Sequence, residues 1–132
     1  MPKVYHKWIE MTGKDDKQLE RVVNEIDKVG LVICGLQGVR RLNKGSAVIK
    51  TDTRNQYEIY WSNNKLKRQH GVGIVIKTDP NIDIHEISPV NSRLIVADVN
   101  VYGCHLRIIN CYAPTNIESA KNTFYCQLKK TI

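Results

Sequence analysis

The segment Asn110-Cys111-Tyr112-Ala113-Pro114-Thr115 sets a phenol and a hydroxyl just past an apolar run, where proline forbids further central strand pairing. Sites tend to sit on loops held by rigid elements, so the Tyr112 hydroxyl is well placed for chemistry; Tyr112 also fits an aromatic that merely closes its loop. Two basic groups, Arg40-Arg41-Lys44 and Lys65-Lys67-Arg68-His70, fall between predicted strands. Their charges fit a phosphate backbone, and they fit a solvated loop surface as well. Gly71-Val72-Gly73 is not a phosphate loop, because a strand follows it where a helix N-terminus would be needed. Glycines placed so fit close backbone approach or a bulge.

The four histidines, His6, His70, His85 and His105, have no i,i+4 spacing and no paired spacing with a carboxylate or cysteine. They are therefore expected to be surface or strand residues rather than metal ligands. Cys34, Cys104, Cys111 and Cys126 stand singly, with no C-x-x-C pair, as reduced thiols of an intracellular protein would. There is no nucleophile elbow, Ser/Lys pair or Walker lysine.

Whole-chain numbers point the same way. A net charge of +7 and a pI near 9.3 fit an anionic partner, nucleic acid first and a membrane surface second. No segment approaches spanning length and the first residues lack a signal-peptide core, so no membrane association is expected and the compartment is read as cytoplasmic or nuclear. The 132 residues, 42% hydrophobic and 25% charged, suffice for one domain and exclude disorder, collagen and coiled coil.

The elements that must position these groups follow from periodicity. Residues 1–13 carry no clear period and form a lead-in. Asp15 or Asp16 can cap a helix in which Leu19, Val22, Val23, Ile26 and Val29 share a stripe, and Gly30 ends it. A short apolar run, 31–36, reads as a buried strand beside that helix, which implies an α/β architecture. Ala47-Val48-Ile49 is a weaker apolar patch in a loop that has room for a short strand. Tyr57–Trp61 and Gly71–Ile76 read as a hairpin, 82–87 alternates, and Ser92–Thr115 reads as two long strands turning at Tyr102-Gly103. Residues 117–132 look helical. The whole is expected to be one mixed, mostly antiparallel sheet with helices on a face.

Four blocks in this order, Ile33-Cys34-Gly35-Leu36-Gln37-Gly38-Val39-Arg40, Gly71-Val72-Gly73-Ile74, Ser92-Arg93-Leu94-Ile95-Val96-Ala97-Asp98 and Ile109-Asn110-Cys111-Tyr112-Ala113-Pro114-Thr115, resemble the endonuclease/exonuclease/phosphatase superfamily. The likeness is greatest to endonucleases of LINE-type retrotransposons and to craniofacial development protein 2-like proteins, and covers roughly residues 14–132 as the N-terminal half of such a domain. The resemblance implies a partial four-layer α/β sandwich of the DNase I and exonuclease III type, and Mg²⁺-dependent hydrolysis of DNA phosphodiesters. It places Tyr112 facing phosphate, with Thr115 where relatives carry a phosphate-contacting residue; Arg40, Arg41, Lys67 and Arg68 of the basic loops are the further candidate substrate contacts.

The same resemblance puts the family's metal-binding Glu at Gly38, which has no side-chain oxygen, so Mg²⁺ is not expected to bind competently. The later Gly-Asp-x-Asn and Ser-Asp-His motifs do not occur within these residues. The expectation is thus an inactive, truncated nuclease-like domain; the alternative is a nucleic-acid-binding or partner-binding half-domain without catalysis. A half-sandwich would leave an apolar sheet face open, so self-association or a covering partner is expected.

Overall fold

The computed structural model describes residues 14–39, 41, 43–64, 71–113 and 118–131. Helix α1 (Lys14–Val29) turns Leu19, Val23 and Ile26 inward, spaced four and three apart, and Val23 is fully buried. Its apolar stripe is narrower than the sequence suggests, since Val22 and Val29 face out. The helix begins at Lys14, which sets Asp15 and Asp16 inside the first turn rather than at its cap. At its other end the amides of Gly30 and Leu31 donate to the Asp27 and Ile26 carbonyls, closing the helix with a Schellman motif.

Seven strands follow: β1 (Ile33–Gln37), β2 (Lys44–Lys50), β3 (Gln56–Ser62), β4 (Val72–Lys77), β5 (Ile82–Asn91), β6 (Leu94–Val101) and β7 (Cys104–Cys111), and then helix α2 (Glu118–Thr131). They form two sheets, β1-β4-β3-β2 and β5-β6-β7, and every pairing is antiparallel. Tyr102 and Gly103 both take positive φ, 51° and 83°, as a tight two-residue hairpin turn between β6 and β7 requires.

The alternation read from the sequence now has two targets. In β4, Val72, Ile74 and Ile76 face the second sheet and meet Ile95, Ala97 and Val99 of β6 together with Ile82, Ile84 and Ile87 of β5. Val75 faces the other way and packs with Tyr57, Ile59 and Trp61 of β3 under Val23 and Ile26 of α1. A strand buried on both faces needs a continuous apolar run, which is what Val72–Ile76 supplies apart from Gly73. On the outer face of the second sheet, Leu94 and Val96 are buried, and Arg107 Nη1 on β7 donates to the Thr131 carbonyl of α2 at 3.4 Å.

This architecture corrects the expected fold class. The chain is mostly β, two antiparallel sheets with short helices only at its two ends, and not an α/β sandwich built on one mixed sheet. The physical reason lies at Asp79-Pro80-Asn81, where the chain leaves the first sheet and starts the second instead of returning beside β4. Nor is β1 the buried strand expected: it is a partly exposed edge strand that pairs antiparallel with β4, Ile33 opposite Ile76. The apolar face expected to lie open is filled by the chain's own second sheet, which removes the structural premise for a partner there.

Asp27 ties α1 to the β2–β3 hairpin. Its carboxylate accepts from Asn55 Nδ2 (2.8 Å), Tyr57 OH (2.9 Å), Thr51 Oγ1 (2.9 Å) and the Thr53 hydroxyl. These donors, Thr53 and Asn55 foremost, hold the carboxyl well below the usual carboxylate range. Burial, reinforced by the bond to Asp27, pushes the Tyr57 phenol up to about 12.

Candidate nucleic-acid interface

One end of the molecule gathers the C-terminal ends of β1, β3, β5 and β7 and the N-terminal ends of β2, β4 and β6. The pairings Lys44 with Ser62, Ser62 with Val72, Val72 with Gln37, and Leu94 with Cys111 bring these strand ends together. Two amide side chains pin the sheets to each other at this end. Asn110 Nδ2 on β7 donates to the carbonyls of Leu36 and Gly73, both at 2.8 Å, and Gln37 Nε2 donates to the Cys111 carbonyl at 2.9 Å.

Tyr112 follows directly from the pinned end of β7. Its amide donates to the Arg93 carbonyl at 2.9 Å, while Arg93 Nη1 donates back to the Tyr112 carbonyl at 3.2 Å. The guanidinium carbon also stands 5.3 Å from the Tyr112 ring centre, within reach of a cation–π contact. Arg93 is thus held beside the residue that the sequence singles out. On the first sheet, Arg41 lies 5.0 Å over the ring of the buried Trp61, and Lys44 begins β2.

The loop after β1 is shaped by Gly71. Its carbonyl accepts from the amides of Gly38 (2.9 Å) and Val39 (3.3 Å). Its φ of 90° and the Val39 carbonyl oxygen, 2.2 Å from where a Cβ would stand, exclude every other residue. Gly38 has φ 72° but open space around its missing Cβ. It borders a cleft of about 490 Å³ with Gln18, Leu19 and Val22 of α1 on one side and Gln37 and Arg41 on the other.

The Mg²⁺ that the resemblance implies does not fit these residues. A hard divalent cation takes carboxylate and carbonyl oxygens, yet among the described residues the side chains that line the cleft around Gly38 include no carboxylate. Among the described residues no group of three or more His, Cys, Asp or Glu side chains could hold a metal ion. Neither helix is long and apolar enough to cross a membrane.

Of the site residues expected from sequence, the structure brings Tyr112, Arg41 and Gly38 to this one end. Arg40, Lys67, Arg68 and Thr115 lie outside the described residues. Sequence reasoning missed Arg93 and the two clamps Gln37 and Asn110. Arg93 had a legible signal: it directly precedes β6, and Tyr112 directly follows β7, the hairpin partner of β6, so the two had to meet. No family model matches the chain, and no curated protein matches it.

Proposed function

We propose that this strand-end surface holds the phosphate backbone of nucleic acid, DNA first, without cleaving it, and that the chain is a non-cleaving relative of the endonuclease/exonuclease/phosphatase superfamily. The observation that carries the reading is charge. Arg41 in the β1–β2 loop, Lys44 at the start of β2 and Arg93 in the β5–β6 turn stand at this end, and the segments 37–39, 43–46, 61–64, 71–73, 91–95 and 110–113 that surround them contain no Asp or Glu. A surface of one sign raises the local concentration of an anionic partner and lets it displace condensed counterions.

The four sequence blocks support the same reading, because Gln37-Gly38 of the first block and Tyr112 of the last both lie at this end of the molecule. Gly38 supports the absence of cleavage: it offers no side-chain carboxylate for a metal at the position where the resemblance calls for one. With three contacting cations, log K should fall against log salt with a slope of roughly −2.7 on duplex and about −2 on single strands.

The test is fluorescence anisotropy of labelled DNA over a range of salt, run beside incubation of supercoiled plasmid with Mg²⁺. Salt-dependent binding with no nicking is the expected result. Nicking that survives repurification, or no DNA binding at low salt, would contradict the proposal.

A further inference from the structure

The outer face of the second sheet carries a pair of imidazoles that the chain's spacing hid. His85 on β5 and His105 on β7 come from the two outer strands, yet their ring centres stand 5.9 Å apart with the rings inclined at 51°. The approach has a cause in the backbone. Ile84 pairs with Val99 and Glu86 with Asp98, so His85 is an extra residue in a bulge. His105 pairs with Asn100 on the central strand between them. The Asn100 amide oxygen is buried and has no hydrogen-bond partner. Its other strand neighbour is Asp83.

We infer that His85 and His105 form a binding site for a late divalent transition-metal ion of the zinc class, with the Asn100 amide oxygen as third ligand and water completing the shell. Two imidazoles on one ion, at about 2.0–2.1 Å per nitrogen, bring their ring centres to roughly 5 Å in tetrahedral geometry and to roughly 6 Å as the angle at the metal opens. The observed separation lies in that interval. Imidazole suits zinc, copper and nickel, and an unpartnered buried oxygen is a group that gains from a cation. Asp98, two residues along β6, does not join the set, because Arg107 Nε and Nη2 already hold its two oxygens at 2.9 and 3.2 Å. The ion would clasp β5 to β7 across β6, a role separate from the nucleic-acid surface at the strand ends.

Zinc chloride titrated into the whole chain under reducing conditions, followed by NMR of the imidazole nitrogens, tests the site. His85 and His105 should shift together and saturate at one ion per chain, with His6 and His70 unmoved. Both histidines are solvent-exposed, so H85Q and H105Q should keep the metal-free melt, and each should weaken zinc binding at least about tenfold. A C104S/C126S double variant removes the exposed thiols and should bind zinc as the parent does. No saturable shift, binding that follows the cysteines, or unaltered affinity in H85Q and H105Q would overturn the inference.

Discussion

Arg93 and Tyr112 hold each other through three contacts: a backbone hydrogen bond from the Tyr112 amide, a guanidinium bond back to the Tyr112 carbonyl, and the guanidinium set over the phenol ring. The first contact extends the β6–β7 ladder by one residue; the other two fix a positive charge at the mouth of the loop. The sequence names the tyrosine, and the fold adds the cation beside it.

Restoring a carboxylate at Gly38 should not create a nuclease. The position has room for a side chain, but its φ of 72° makes any L residue strained there, at roughly 1–2 kcal/mol. Among the described residues no second carboxylate lines the cleft to complete a metal site. Gly38→Glu is therefore expected to lower the urea midpoint modestly and leave plasmid supercoiled in Mg²⁺; nicking by the variant alone would count against this reading.

Asn110 should matter out of proportion to its size. Its amide nitrogen serves carbonyls on two strands of the opposite sheet. Asn110→Ala removes both bonds between the sheets while each carbonyl keeps its ladder partner, Leu36 lying opposite Gly73, and two such bonds contribute about 1–3 kcal/mol. Equilibrium unfolding in urea should show a loss of that order with the slope unchanged, whereas a neutral result would mean that water replaces the clamp.

Gly45 is pressed against an aromatic ring. A Cβ added there would lie 2.6 Å from Cζ2 of Trp61, its direct partner across the β2–β3 ladder. Trp61 is buried and cannot swing aside, so Gly45→Ala should cost about 1–3 kcal/mol by overpacking. Chemical denaturation measures the loss, and a shift in tryptophan emission should accompany it.

Acid should weaken the fold through Asp27. Its carboxyl is held below the ordinary value by four donors, so it binds protons less readily when folded than when unfolded. That stability is fully present above the ordinary carboxylate pKa of about 3.9 and is lost as the pH falls below it. Urea midpoints of the parent and Asp27→Asn should differ at pH 6 and converge toward pH 2.5. A gap that stays constant with pH would show that the carboxylate's charge contributes nothing.

How much of this was legible depends on range. The β3–β4 and β6–β7 hairpins could be read because alternation and turn residues are local: Tyr57–Trp61 against Val72–Ile76, and Tyr102-Gly103 at the second turn. The division into two sheets could not. Asp79-Pro80-Asn81 makes the same kind of turn whether the next strand returns beside β4 or departs, and only packing of Ile82, Ile84 and Ile87 against β4 decides it. β2 reads as no more than a short strand within a loop because Lys44-Gly45-Ser46 is polar, yet Gly45 and Ser46 are buried, Gly45 against the Trp61 ring. The histidine pair was invisible for a further reason. His85 and His105 meet only because a bulge and an intervening strand align them, and neither leaves a mark on their spacing.

The central claim is that Arg93 contacts phosphate, and the most direct measurement is the salt dependence of DNA binding by Arg93→Gln beside the parent chain. Glutamine keeps a donor for the Tyr112 carbonyl but removes the charge. Loss of one phosphate contact should weaken binding uniformly across sequences and reduce the log–log salt slope by about 1. An identical slope in both proteins, with both folded, would contradict the account.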